Sequence, residues 1–199
     1  MPVGDKQKLI TEIASYVLGQ KPQLDKTFEW FINKHTSEHF GKWYSTIDLI
    51  FSNLNGDLVA NQSKRTQSLK CDAYFGGQNN FIFEFDEFQH FSSARLKTLE
   101  LYPEKLKINF SIDEWKSKCR MYKEKANKYR KSKTTTDFNF HGGRTAQRAY
   151  LDCFRDLLPH QHGLKPTVRI SEFEVEGIYK NNKDGCIRIE KLFKNKIKF

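Results

Sequence analysis

The chain has 199 residues and is 38% hydrophobic, enough for one domain that buries roughly 70% of its unfolded surface without a disulfide or metal staple. Its 34 lysines and arginines outweigh 24 aspartates and glutamates, a formal net charge of +10, so the partners to expect are acidic ones, nucleic acid above all. No apolar run is long enough to span a membrane and the opening MPVGDKQKL lacks a signal-peptide core, so the expectation is a soluble protein of the cytoplasm or nucleus, cytoplasmic by preference, with no membrane partner.

In chain order, Leu9, Ile10, Ile13, Tyr16 and Val17 recur at helical spacing and predict a helix over 6–18, ended by Gly19 and Pro22. A second helix is expected from Asp25 to about Gly41, carrying Phe28, Phe31 and Ile32, and a third over 43–54 before the turn signal NLNGD. SLKCDAYF (68–75) and the stretch from Phe81 to Phe88 read as two strands of a hairpin joined by GGQNN. A short helix follows over 92–102. The helix over 112–131 opens with the capping pair Ser111 and Glu114 and keeps one apolar face. After the loop TTTDFNFHGG come a helix over 144–158, a strand over 166–176 and a short strand at 186–190. The cysteines are scattered without a C-x-x-C pair, and no Walker loop, Rossmann fingerprint or G-x-S-x-G elbow occurs, which leaves structural zinc, ATP use and serine hydrolysis without support. His35 and His39 stand four apart but lack the metalloprotease order, and read as packing or surface residues.

The stretch FIFEFDEFQHF (81–91) is unusual: it is rich in phenylalanine yet carries Glu84, Asp86 and Glu87. Glu84 and Asp86 share one face of a strand, opposite Phe81, Phe83 and Phe85. Carboxylates side by side on a buried strand repel each other and lose hydration. If the hairpin forms, Asp72 on the preceding strand approaches Glu84 across the ladder. A divalent cation, which takes oxygen ligands, would resolve the repulsion and suit phosphodiester hydrolysis.

These residues resemble the PD-(D/E)XK nuclease superfamily, in which an Asp on one strand precedes Glu-x-Lys on the next. Here Asp86 fills the lysine position. FEFDEFQHF is more similar to the I-E-x-D-G-x-x-H pattern of the Vsr-like branch and the RAP-type modules, with Glu87 in place of the glycine. The resemblance implies an α/β fold with a central mixed sheet flanked by helices, with helical additions at both ends. It also implies Mg²⁺, or Mn²⁺ as a substitute, held by Asp72 and Glu84, with Asp86 as a third ligand or the holder of a water that is one. Gln89 would orient the nucleophile, His90 would shuttle a proton, and Lys70 would supply the displaced lysine.

A carboxylate site that handles phosphates needs a positive surround. Lys116, Arg120 and Lys123 on the 112–131 helix are expected to contact the nucleic-acid backbone. Arg144, Gln147, Arg148 and Arg155 lie along one side of the next helix and are side-chain types that read guanine and adenine edges. Gly142 and Gly143 would let that helix start approach a partner closely. The whole chain is expected to be one nuclease domain, with its core at about 43–110 and a DNA-contact region at about 111–199. The expected function is a Mg²⁺-dependent, restriction-type DNA endonuclease, which would cut both strands as a homodimer or by sequential nicking as a monomer. The alternative is a nuclease-fold nucleic-acid-binding module that has lost catalysis.

Overall fold

The computed structural model describes residues 4–178 and 183–197. These form a mixed α/β structure with one four-stranded sheet and eight α-helices. The sheet order follows the chain: β1 (Gln23–Leu24), β2 (Ala73–Phe75), β3 (Phe81–Asp86) and β4 (Val168–Ser171). The first three strands pair antiparallel, and β3 pairs parallel with β4. Two strands of the sheet, β1 and β4, thus come from outside the 43–110 stretch.

The alternation of β3 divides the sheet into two unlike faces. Phe81, Phe83 and Phe85, with Val168 and Ile170 beside them, pack into an apolar cluster against α1 (Asp5–Leu18) and the C-terminal helix (Lys183–Lys196). Glu84, Asp86 and Arg169 point to the other face, towards the helices drawn from the middle of the chain. Six consecutive buried positions in β3 therefore conceal an ionic face behind an aromatic one.

The remaining helices are α2 (Ser37–Phe40), α3 (Tyr44–Asn53), α4 (Leu58–Ser63), α5 (Ser93–Glu100), α6 (Ile112–Lys128), α7 (Gly143–Leu157) and the C-terminal α8. Helices α3, α5, α6 and α7 enclose a second, larger core that includes Ile47, Phe51, Leu99, Trp115, Tyr150 and Phe154. The expected N-cap of α6 forms, with Ser111 Oγ accepting from Glu114 N–H. Asp57, from the NLNGD turn, caps the unexpected α4 in the same way through Ala60 N–H.

Three expected elements are corrected. The stretch 25–41 is helical only over Ser37–Phe40. Phe31 and Asn33 bond instead to the backbone of Leu69 and Gln67, and Ile32 bridges Ser68, so the apolar residues reach the core from an extended chain. The strand at 166–176 stops at Ser171, because the Glu174 carboxylate accepts from Ser171 N–H and Oγ–H in a turn. The strand at 186–190 is part of α8, whose Ile189 and Phe193, one turn apart, pack on the phenylalanine face.

Candidate active site

The hairpin register pairs Ala73 with Phe83, which sets Asp72 opposite Glu84 just beyond the last ladder pair. Asp72 N–H donates to Glu84 Oε1 at 3.3 Å, and Phe85 N–H donates to Asp72 Oδ2 at 2.8 Å. Both acids line a cavity of about 250 Å³ with Gln7, Glu87, Gln89, His90 and, from α7, Arg144, Arg148, Asp152 and Arg155. One wall is therefore anionic and the other cationic.

Burial pushes the Glu84 carboxyl up to about 8, the nearby Arg155 offsetting and Asp72 adding to the shift. Burial also raises Asp72, although its bond from Phe85 N–H and the charge of Arg155 oppose this. Arg155 Nε lies 3.0 Å from Glu84 Oε2 but off-line for a hydrogen bond. Its outer nitrogens donate to the carbonyls of Lys70 and Leu151, and its plane lies over Phe31. Burial works against the Arg155 charge and Glu84 restores it, leaving the guanidinium more basic than usual.

Gln89 Nε2 donates to Glu87 Oε2 at 2.6 Å, while its buried Oε1 has no partner. Glu87 in turn accepts from Gly4 N–H and ties the start of α1 to the site. His90 Nδ1 lies 3.0 Å from Asp152 Oδ2. Burial disfavours the Asp152 charge, but His90, Arg169 and Arg95 hold its carboxyl well below the usual range. An ionised Asp152 accepts from Nδ1–H, which fixes the imidazole with Nε2 as its other, proton-accepting nitrogen. Arg148 donates to Gln89 O at 3.3 Å and lies over the Tyr129 ring, and Arg144 donates to Gln147 Oε1.

Other expected site residues lie elsewhere. Asp86 is not presented to the cavity: Arg169 Nη1 at 2.6 Å and Trp115 Nε1 at 2.9 Å bind its two oxygens. Its place is a buried network in which Arg169 also meets Asp156, and Asp156 meets Arg95 and Tyr102. The third-ligand assignment is therefore withdrawn, because both carboxylate oxygens are already committed. Lys70 is largely exposed, 4.0 Å from Asp25, and only its carbonyl reaches the site through Arg155. Gln147 is held between Arg144 and the buried Asp137. Lys116, Arg120 and Lys123 do not line the cavity, and Arg120 faces Glu100 at 3.8 Å.

The two glycines at the start of α7 serve the chain itself. A Cβ on Gly143 would sit 1.8 Å from the Phe138 carbonyl oxygen, and Gly142 takes a φ of 94°. The functional candidates that sequence reasoning missed are Asp152, Gln7 and Glu87. Asp152 carried a signal: together with Asp156 it falls among the buried positions of α7, where an acid needs a partner. Arg169 carried the complementary one, a lone cation between Val168 and Ile170.

Among the described residues no set of three or more His, Cys, Asp or Glu side chains has the arrangement of a metal centre. Mg²⁺ nevertheless commonly uses one or two carboxylates, completing its shell with water and substrate phosphate. Asp72 and Glu84 supply such a pair, and Gln89 lines the same cavity. The donor set fits a hard divalent ion. Comparison with protein-family models, with curated proteins and with solved structures finds no match in any of the three.

Proposed function

We propose that the protein is a Mg²⁺-dependent DNA endonuclease of the PD-(D/E)XK kind, restriction-type, with the cavity between the hairpin and α7 as its active site. The observation that carries this reading is the pairing of Asp72 with Glu84 beneath a wall of three arginines. The hairpin set in a mixed sheet and the net charge of +10 agree with it. Asp72 and Glu84 would hold the ion, which polarises a phosphoryl oxygen and lowers the pKa of a bound water. Arg144 and Arg148 would draw the scissile phosphate in and offset the negative charge that grows on it. Gln89 Oε1 would accept a hydrogen bond from the attacking water, and His90 Nε2 would take a proton from it. Asp152, 3.0 Å from His90 Nδ1, would orient the imidazole.

Plasmid incubated with the purified protein should be cut or nicked with Mg²⁺ and not with EDTA, and Asp72→Ala should abolish cutting while binding persists. Double-strand cutting would call for two copies of the chain or for sequential nicking by one. One observation favours a second reading, a nucleic-acid-binding module without catalysis: Arg155 stands 3.0 Å from Glu84, so a guanidinium already supplies positive charge beside the proposed ligand. Binding without cleavage in either Mg²⁺ or Mn²⁺ would select that reading.

A further inference from the structure

A second cavity, of about 270 Å³, lies beside the start of α7 and shares no lining residue with the first. Thr145 reaches it about 100° round α7 from Arg144, and Ala146 about 200° round, at ~100° per residue. Its lining includes Lys97 and Lys131, both exposed, and no carboxylate. Asn127 Oδ1 accepts from Ser93 N–H and Oγ–H, which leaves the Asn127 amide N–H₂ as a donor at the cavity wall.

The decisive feature is Thr145. The residue is only 6% exposed, and its hydroxyl has no hydrogen-bond partner. A helical threonine ordinarily returns its hydroxyl to a carbonyl one turn back, and a buried unpaired hydroxyl costs about 1–3 kcal/mol. The positive end of the α7 dipole lies here too. The backbone N–H groups of Gly142, Gly143 and Arg144 are already used by the carbonyls of Lys131, Phe140 and Lys133. Recognition would therefore come from side chains: the hydroxyl, the amide and the two ammonium groups, with His141, Asn53 and Asn55 on the same lining.

We propose that this cavity binds a phosphate group through Thr145, Asn127, Lys97 and Lys131. Separate point donors arranged round a tetrahedral oxyanion suit phosphate, whereas a planar carboxylate is better matched by the arginine fork, which this cavity lacks. The site does not depend on catalysis in the acidic cavity. The phosphate is either free or part of a nucleic-acid backbone, and the two sources are separable.

The test is titration of the full chain with inorganic phosphate, and separately with a short DNA duplex lacking terminal phosphates, followed by amide NMR shifts with chloride as the control. Saturable shifts at Thr145 and Asn127 are expected. Thr145→Val, which removes the hydroxyl and keeps the shape, should weaken binding about fivefold or more, and Lys97→Ala with Lys131→Ala about tenfold or more. Response to phosphate alone identifies a free anion as the ligand. Response to DNA, with the salt slope of binding reduced by about 2 in the double lysine variant, identifies a backbone contact. If neither titrant moves these resonances, or if both sets of variants titrate like the wild type, the site does not exist. Asp72→Ala, which leaves this cavity untouched, should keep whichever response the wild type gives.

Discussion

Asp72 and Glu84 are bound to each other's strands: Asp72 N–H donates to the Glu84 side chain, and Asp72 Oδ2 accepts from Phe85 N–H. The hairpin register alone would bring the two positions together. These bonds go further and aim both carboxylates at one cavity, where their mutual repulsion is only partly offset by Arg155, 3.0 Å from Glu84.

Removing that repulsion should be visible without any catalysis. Millimolar Mg²⁺ should raise the melting temperature of the wild-type chain, since a ligand bound only by the folded state stabilises it. Glu84→Gln should abolish the Mg²⁺ response and, because it takes the nearest carboxylate from the buried Arg155, lower the melting temperature in EDTA. A thermal scan with and without metal checks both; an unchanged Mg²⁺ response in the variant would remove Glu84 from the metal site.

Arg148 joins the cationic wall to Gln89 through its backbone carbonyl. Arg148→Ala should weaken DNA binding and lower the slope of log affinity against log salt by about 1, the signature of one lost phosphate contact. Cleavage should fall by about tenfold or more. Fluorescence anisotropy across a salt series measures the slope.

The buried network is expected to dominate stability near the site. Arg169 is fully buried and serves Asp86, Asp152 and Asp156. Arg169→Met would leave buried carboxylates without their main counter-charge, at a cost of about 3–5 kcal/mol. Urea unfolding should show this as a lower midpoint. A variant of unchanged stability would mean that the network relaxes around a single arginine.

Gly143→Ala places a methyl group against the Phe138 carbonyl and should cost about 3 kcal/mol or more. The start of α7 would have to move, and Arg144 with it. Loss of DNA binding together with a lowered melting temperature is the expected result, whereas Gly77→Ala, in an open turn, should leave binding unchanged.

His35 supplies a pH dependence away from the cavity. Its imidazole bonds the Tyr150 hydroxyl and Asp48, and burial pulls its pKa below the ordinary value, although the Asp48 bond opposes this. The unfolded chain therefore takes up a proton more readily than the folded one. Stability is fully present above the unfolded histidine pKa, near 6.5, and declines as pH falls from there through the folded value. His35→Gln should flatten the profile of melting temperature between pH 7 and 5.

Much of the hairpin and the long helices was legible in the chain, because their signals are local. Alternation along 81–86, the GGQNN turn and the three-and-four spacing of 112–128 each depend on residues a few positions apart. Those signals also placed Asp72 and Glu84 side by side, since a register is fixed by a short turn and a buried face. The stretch 25–41 was misread for the complementary reason: its apolar residues are satisfied by strand-like contacts with 67–69, which no local period records.

The sequence by itself determined the acid pair, the aromatic strand and the excess of positive charge. Only tertiary structure decided which charges meet. Asp86 looked like a ligand and is instead buried against Arg169, which lies 83 positions away. Asp152, not among the expected site residues, holds His90, 62 positions away. The physical reason is that a buried charge is stable only beside its counter-charge, and which counter-charge that is depends on the pairing of β4 with β3 and the packing of α6 and α7 over the face they share.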